Sequence, residues 1–440
     1  MNKRITTLLS IIIMGSSIAS AQTSGGNSPY SRYGWGTLTD GGQGFNKGMG
    51  GVALGFRGRD ILNYANPASY ASIDSITFLF DIGISLQNGY FKENDKSVNA
   101  LNSTLDYIQA GFRLRKNLGV SIGLKPVSIV SYDFYNNTAL QGEEGIWDEG
   151  ATTSSSYYGE GGMRNAWLGL GWEPVKDLAI GVNGGFTWGN YTHTNTITFT
   201  NNAHSLLRTY KASINTYSLD FGLQYTKSLG KKNELTIGLT YGLGHDINST
   251  ATYFNREVAS SSSTTLGGDT TRVSKAFEMP HSFGIGFNFC HDKKLSVGVD
   301  YTCQLWKGCK FPELASTGSI SSYTIGTSSF CDRHRIAVGA QYIPNPDGYK
   351  VKDHIQYKLG LSYTTPYVKV NGQDGPKSYL GSVGVGIPIT NTYSSRSLLN
   401  IGFQWEHIAP SASHLLKEDY VRLCLGLTFN ANWFNKWRIE

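Results

Sequence analysis

Apolar and small or polar residues alternate with a period of two along most of this chain, in one recurring phrase: apolar, glycine, apolar, any residue, aromatic. It reads Leu168-Gly169-Leu170-Gly171-Trp172, Phe221-Gly222-Leu223-Gln224-Tyr225 and Ile237-Gly238-Leu239-Thr240-Tyr241. It returns at Phe283–Phe287, Val297–Tyr301, Val338–Tyr342, Leu359–Tyr363, Ile401–Trp405 and Leu425–Phe429. On a β-strand the apolar and aromatic members share one face, and glycine and polar residues share the other. The same apolar face recurs strand after strand, and no helical segment is present to cover it. That pattern predicts an all-β chain, a closed antiparallel transmembrane barrel that is apolar toward lipid and polar or small toward its lumen.

Counting the period-two segments from 75–88 to 418–430 gives fourteen strands. The predicted connections alternate between short ones, such as Lys116-Asn117, Gly230 to Asn233, Pro344 to Asp353 and Asn391 to Ser395, and longer ones near 89–104, 132–156, 197–207, 251–277 and 308–331. Bacterial barrels have short periplasmic turns and longer extracellular loops. The alternation therefore places both termini in the periplasm, with the long loops outside the cell. Charges such as Asp81, Asp220, Asp300 and Arg422 fall on the lumen face. Trp172, Tyr225, Tyr342 and Phe429 fall just before short turns and are expected in the inner aromatic girdle.

Composition supports one repetitive unit over several soluble domains: 53 of 440 residues are glycine, 26 are tyrosine and only 12 are proline. Mean hydropathy is −0.25, against a bundle of membrane helices. Residues 1–21 read as a cleaved signal peptide: Lys3 and Arg4, an apolar stretch from Leu8 to Met14, then Ala19-Ser20-Ala21 as the cleavage site. Export together with this barrel pattern places the chain in a bacterial outer membrane. The net charge of +6 shows no basic stripe of the kind nucleic-acid binding needs. Five cysteines occur without a metal-ligand spacing, and Cys309 and Cys331 flank a loop whose base a disulfide between them would staple. No cofactor or metal is expected. The nine histidines form no spaced Ser/His/acid set, and His245, Asp246 and His407 read as solvated polar residues at strand ends, so the chain is not expected to be an enzyme.

Residues 22–72 do not alternate. They are rich in glycine and aromatics, and the barrel proper is expected over 73–440. A fourteen-stranded wall is wide enough to need filling, since about eight strands already fill with their own side chains. The segment is therefore expected to fold into the lumen as a plug, with its glycines allowing close backbone passage and Asn66 bonding to stranded backbone groups.

Within that segment, Gly48-Met49-Gly50-Gly51-Val52-Ala53, then Asp60, then Asn66-Pro67-Ala68 stand immediately before the first strand. This order resembles the pre-barrel signature of the FadL-like outer-membrane barrels, the OmpP1/FadL/TodX family of long-chain fatty-acid transporters. The resemblance implies fourteen strands, an N-terminal plug and passage of small hydrophobic compounds, with Gly48, Met49, Gly50, Gly51, Asp60, Asn66, Pro67 and Ala68 as plug or gate residues. Outer-membrane lipid and a hydrophobic small molecule are then the expected partners. Some barrels of this type are recruited to larger complexes, which gives an alternative: a non-transporting subunit of an outer-membrane protein assembly or secretion complex. The stretch Val258 to Thr271 reads as a polar, flexible loop without a greasy groove, which favours the alternative. An open diffusion pore is a lesser option, because the pre-barrel segment should block it.

Overall fold

The computed structural model describes residues 27–432 except 76, 94–95, 140–151, 200–203, 260–263, 318–319, 349, 390–396 and 411–415. The expected signal peptide and the short turn at Asn391 to Ser395 lie outside the described residues. Fourteen antiparallel strands form the wall: Thr77–Glu93, Lys96–Arg115, Leu118–Ala139, Thr152–Val175, Leu178–Phe199, His204–Leu229, Asn233–Gly242, His281–His291, Leu295–Leu305, Arg333–Tyr342, Gln356–Thr364, Lys377–Pro388, Leu398–Ala409 and Lys417–Asn432. The first strand pairs with the last from Thr77↔Asn432 to Lys92↔Lys417, which closes the sheet.

The alternation in the sequence is the alternation of faces. In the first strand Thr77, Leu79, Asp81, Gly83 and Ser85 are buried, while Ile84 and Leu86 are exposed. Around the outside, Leu168, Leu239, Val299, Ile336, Leu359 and Phe403 all stand exposed. Water would not tolerate a continuous apolar band of that size on a monomer, whereas lipid requires it. The short connections use residues suited to tight turns. Asn117, Asp177, Asp292 and Lys293 have φ between 53° and 71°, a region in which Asn and Asp are enriched. Trp172, Tyr225, Tyr342 and Phe429 stand exposed on the outward face near the short-turn end, where Trp172 is registered with Leu118 and Tyr342 with Leu295.

Three sequence expectations are corrected. The stretch around 251–277 is a β-hairpin, Thr250–Ala259 with Thr265–Ser274, and its first strand continues the wall by pairing with the sixth strand. Leu206 and Leu207, expected in a loop, lie within that sixth strand. The third to sixth strands run 22, 24, 22 and 26 residues, whereas about 9–11 suffice to cross a bilayer. They therefore rise as a blade well beyond the lipid-facing band. The proposed staple is also absent. Cys309 and Cys331 are free, because their sulfurs turn to different backbone carbonyls, Leu305 O at 3.4 Å and Pro366 O at 3.4 Å.

Burial pushes the Cys309 thiol up to about 12 and the Cys331 thiol up to about 11. Both titrate above the ordinary value, so both stay protonated, and slow to alkylate, throughout the neutral range. The expected outcome at pH 8 is no modification of either residue in the folded protein, modification after denaturation, and a melting temperature unchanged by reductant. Mass spectrometry after iodoacetamide treatment checks this.

Candidate functional site

The lumen is lined by residues 28–73, which pack against the inward side of the wall. The lining follows a track of glycines. From the second strand to the fourteenth, every strand carries an inward glycine whose Cβ position has an atom of residues 44–73 within 4 Å. The segment meets the strands in reverse order: Gly44 lies on Gly426, Gly48 on Gly402 and Gly384, Met49 on Gly360 and Gly339, Val52 on Gly298, and Leu54 on Gly284 and Gly238. It continues with Asn66 on Gly222, Pro67 on Gly181, and Tyr70 on Gly169 and Gly119. The glycine of the five-residue phrase is therefore the seat of the lining. At Gly238 a Cβ would lie 1.9 Å from Leu54 O, so no larger residue fits while the segment keeps its path.

The signature residues hold that path. Gly50 and Gly51 adopt φ of +64° and +78°, a conformation that favours glycine. Gly50 N donates to Ser382 Oγ at 2.8 Å, and its carbonyl accepts from Arg335 at 2.7 Å. Met49 is fully buried. Asn66 caps the 3₁₀ turn Pro67–Ser72, accepting from Ala68 N. Its Nδ2 donates to Leu54 O at 2.9 Å and Leu223 O at 3.2 Å, which satisfies carbonyls that would otherwise be stranded. Asp60 stands apart: it is exposed and accepts from Asn430 at the end of the last strand. Asp300 accepts from the backbone N–H groups of Ala53 and Leu54 at 2.6 and 2.9 Å.

Above this ring the lumen is polar and ionic. Lys47 pairs with Asp106 at 2.6 Å, Arg333 with Asp40 at 2.9 Å and Arg422 with Glu406 at 2.5 Å. A cavity of about 260 Å³ is lined by these charges. A second, of about 210 Å³, adds Lys125, Asp300 and Arg335. At the long-loop end an aromatic core closes the mouth around Trp35, which is 0% exposed. The Trp35 ring meets Phe277, Phe311 and Tyr191 at centroid distances of 5.3, 6.0 and 6.2 Å. Trp306, Phe330 and Tyr367 complete the core.

Among the described residues, pairing in the wall breaks off between the second and third strands. The second strand pairs with the third only between Arg115↔Leu118 and Ile108↔Leu124. Pro126 follows, and the register with the fourth strand shifts between Pro126 and Ser128. The lining segment fills the vacated edge. Thr37 and Leu38 pair with Ile129 and Ser128, Thr39 N donates to Val127 O at 3.0 Å, and Ser31 and Ser131 bond to each other. Beside the gap lies a cavity of about 390 Å³, bordered by Leu105, Pro126, Met163, Trp188 and Tyr191. This gap was missed in the sequence, although a proline inside a strand pattern marks an edge or a bulge and Pro126 carried that signal.

A comparison with curated proteins finds no match by sequence. Solved structures share the fold. The CymD monoaromatic hydrocarbon channel superposes with a TM-score of 0.58 at 11% identity, covering 92% of this chain and 100% of that one. A Pseudomonas aeruginosa FadL homologue gives 0.57 at 10% identity, covering 90% and 98%. The Ralstonia pickettii toluene transporter TbuX gives 0.53 at 12% identity, covering 87% and 97%. The barrel is FadL-like in fold. The family model for BamG matches residues 1–440, and the chain belongs to the BamG family.

Proposed function

We propose that this barrel is a sealed, non-transporting subunit of an outer-membrane protein assembly. The observation that carries this reading is the closed lumen. The glycine-seated lining runs past nearly every strand, the aromatic core around Trp35 stops the mouth, and Thr37 to Thr39 occupy the gap in the wall. The cavity of about 260 Å³ carries the Lys47–Asp106, Arg333–Asp40 and Arg422–Glu406 pairs on its wall, and buried charge there disfavours an apolar passenger. Membership of the BamG family favours an assembly-related role. In this reading both chain termini face the periplasm and the blade reaches outside the cell. Trp172, Tyr225, Tyr342 and Phe429 then anchor the inner interface of the bilayer.

Affinity purification of the tagged chain at native abundance in a mild detergent tests the reading. Stoichiometric outer-membrane partners are the expected result, and a lone monomer sinks the idea. A second reading, passage of a small hydrophobic compound, is favoured by the cavity of about 390 Å³ beside the gap and by the channels sharing the fold. The residues Gly48 to Gly51 and Asn66 to Ala68 would then be the moving gate. Unchanged uptake of labelled toluene and long-chain fatty acid in cells lacking the protein counts against it.

A further inference from the structure

Among the described residues the blade ends in a strand that is paired along one side alone. The sixth strand continues past the end of the seventh, and its His204–Ala212 stretch pairs instead with Thr250–Ala259, from Ala251↔Ala212 to Ala259↔His204. Thr265–Ser274 then adds to Thr250–Ala259, with a single register shift at Glu257/Val258 near the hairpin tip. Ten residues at 3.3 Å each give an edge of about 33 Å. Among the described residues no strand pairs with its far side. The hairpin is anchored, because Val273 packs on the aromatic core and Tyr253 meets Tyr323 at 4.4 Å, with Tyr323 in turn on Tyr210 at 5.8 Å.

Exposed strand edges are normally blunted with proline, lysine, bulges or a covering element, because their free N–H and C=O groups template further pairing. Thr265–Ser274 contains neither proline nor lysine, and its bulge lies at the tip. Its two charges, Asp269 and Arg272, are exposed and project on opposite faces.

We propose that Thr265–Ser274 is the docking edge for an extended segment of a partner protein, which adds to the blade as one more strand. This rests on the subunit reading above. Main-chain hydrogen bonds supply the affinity in such strand addition, and side chains supply the register. The occupant carries a basic residue opposite Asp269 and an acidic residue opposite Arg272, since opposite charges facing across a strand pair stabilise it and like charges do the reverse.

The test places a photo-crosslinking amino acid at each position from 267 to 273 in the full chain, expressed in its own cells. The expected result is a ladder: adducts to one partner chain whose attachment point moves by one residue as the probe moves by one. Neighbouring residues aim their N–H groups to opposite sides of a strand. One of Thr270→Pro and Thr271→Pro therefore spares the hairpin ladder while removing an outward donor. That variant should lower adduct yield about tenfold, the loss expected for one or two hydrogen bonds, with the heat-modifiable gel mobility of the barrel unchanged. Scattered adducts, adducts to lipid or to a second copy of this chain, or none at all overturn the proposal. Wild-type protein that co-purifies with partners but gives no ladder overturns the edge alone; wild-type protein recovered alone overturns the subunit reading beneath it.

Discussion

Replacing Gly238 by valine should prevent the lining from seating, with a loss of about 3 kcal/mol or more, the upper end of the range for overpacking. The reason is geometric. The new Cβ would stand 1.9 Å from Leu54 O and 2.5 Å from Leu54 C. These are backbone atoms, with no rotamer by which to escape. Nor can the backbone of Leu54 retreat freely, because its carbonyl also accepts from Asn66 and Gln224 and its N–H donates to Asp300. The wall must therefore open or the lining must leave. The matching control is Gly381→Val. That glycine faces outward, and its nearest neighbour is Leu361 Cδ2 at 3.7 Å. The control should change stability by less than about 1 kcal/mol, the usual range for substitutions away from such contacts. Melting temperature and limited proteolysis between residues 28 and 73 read both variants: rapid cleavage of the lining in Gly238→Val and none in Gly381→Val.

Trp35→Ala should cost about 3–5 kcal/mol, as for other fully buried aromatics. Trp35 sits at the centre of the outer core, with three aromatic rings within 6.2 Å. Its loss leaves a void where strands, lining and outer loops meet, and the mouth is expected to admit ions. Planar-bilayer recordings should show conductance in the variant and little in the wild type. Trp35→Phe should be far milder. The indole N–H is buried without a hydrogen-bond partner, so removing it lifts a penalty of about 1–3 kcal/mol that offsets part of the lost packing. Equal damage from the two substitutions would show that the core is not what holds the mouth shut.

The wall was legible in the sequence for a direct physical reason. Within the hydrocarbon, lipid demands an apolar residue at every second position, so Leu359, Leu361 and Tyr363 advertise their strand. That demand ends where the strand leaves the membrane. Residues 132–139 and 190–199 have water on one side and each other on the other, and Ser, Thr and Asn serve there as well as Val. Their period-two signal fades although the backbone stays paired, so the blade read as loops. The Thr250–Ser274 hairpin was misread for the same cause. The aromatic core was illegible because its members, Trp35, Tyr191, Phe277, Phe311 and Tyr367, come from five distant segments and no local pattern links them. The signature residues were found, but their roles differ. Gly48 to Gly51 and Asn66 to Ala68 build the ring, while Asp60 sits at its margin on Asn430. The partner of each repeat glycine was not readable either, because a non-periodic segment does not declare which wall residue it passes.

The glycine track makes this wall a casting rather than a pipe. Its inner contour is moulded to one particular strand of backbone, at the same depth on successive staves. The seam that closes the wall joins Thr77 to Asn432, so the first and last strands of the wall meet around backbone that precedes both of them in the chain. A wall emptied of that backbone would not become a smooth pore. It would keep a girdling furrow the width of a main chain, lined with glycine and open for the length of the circuit.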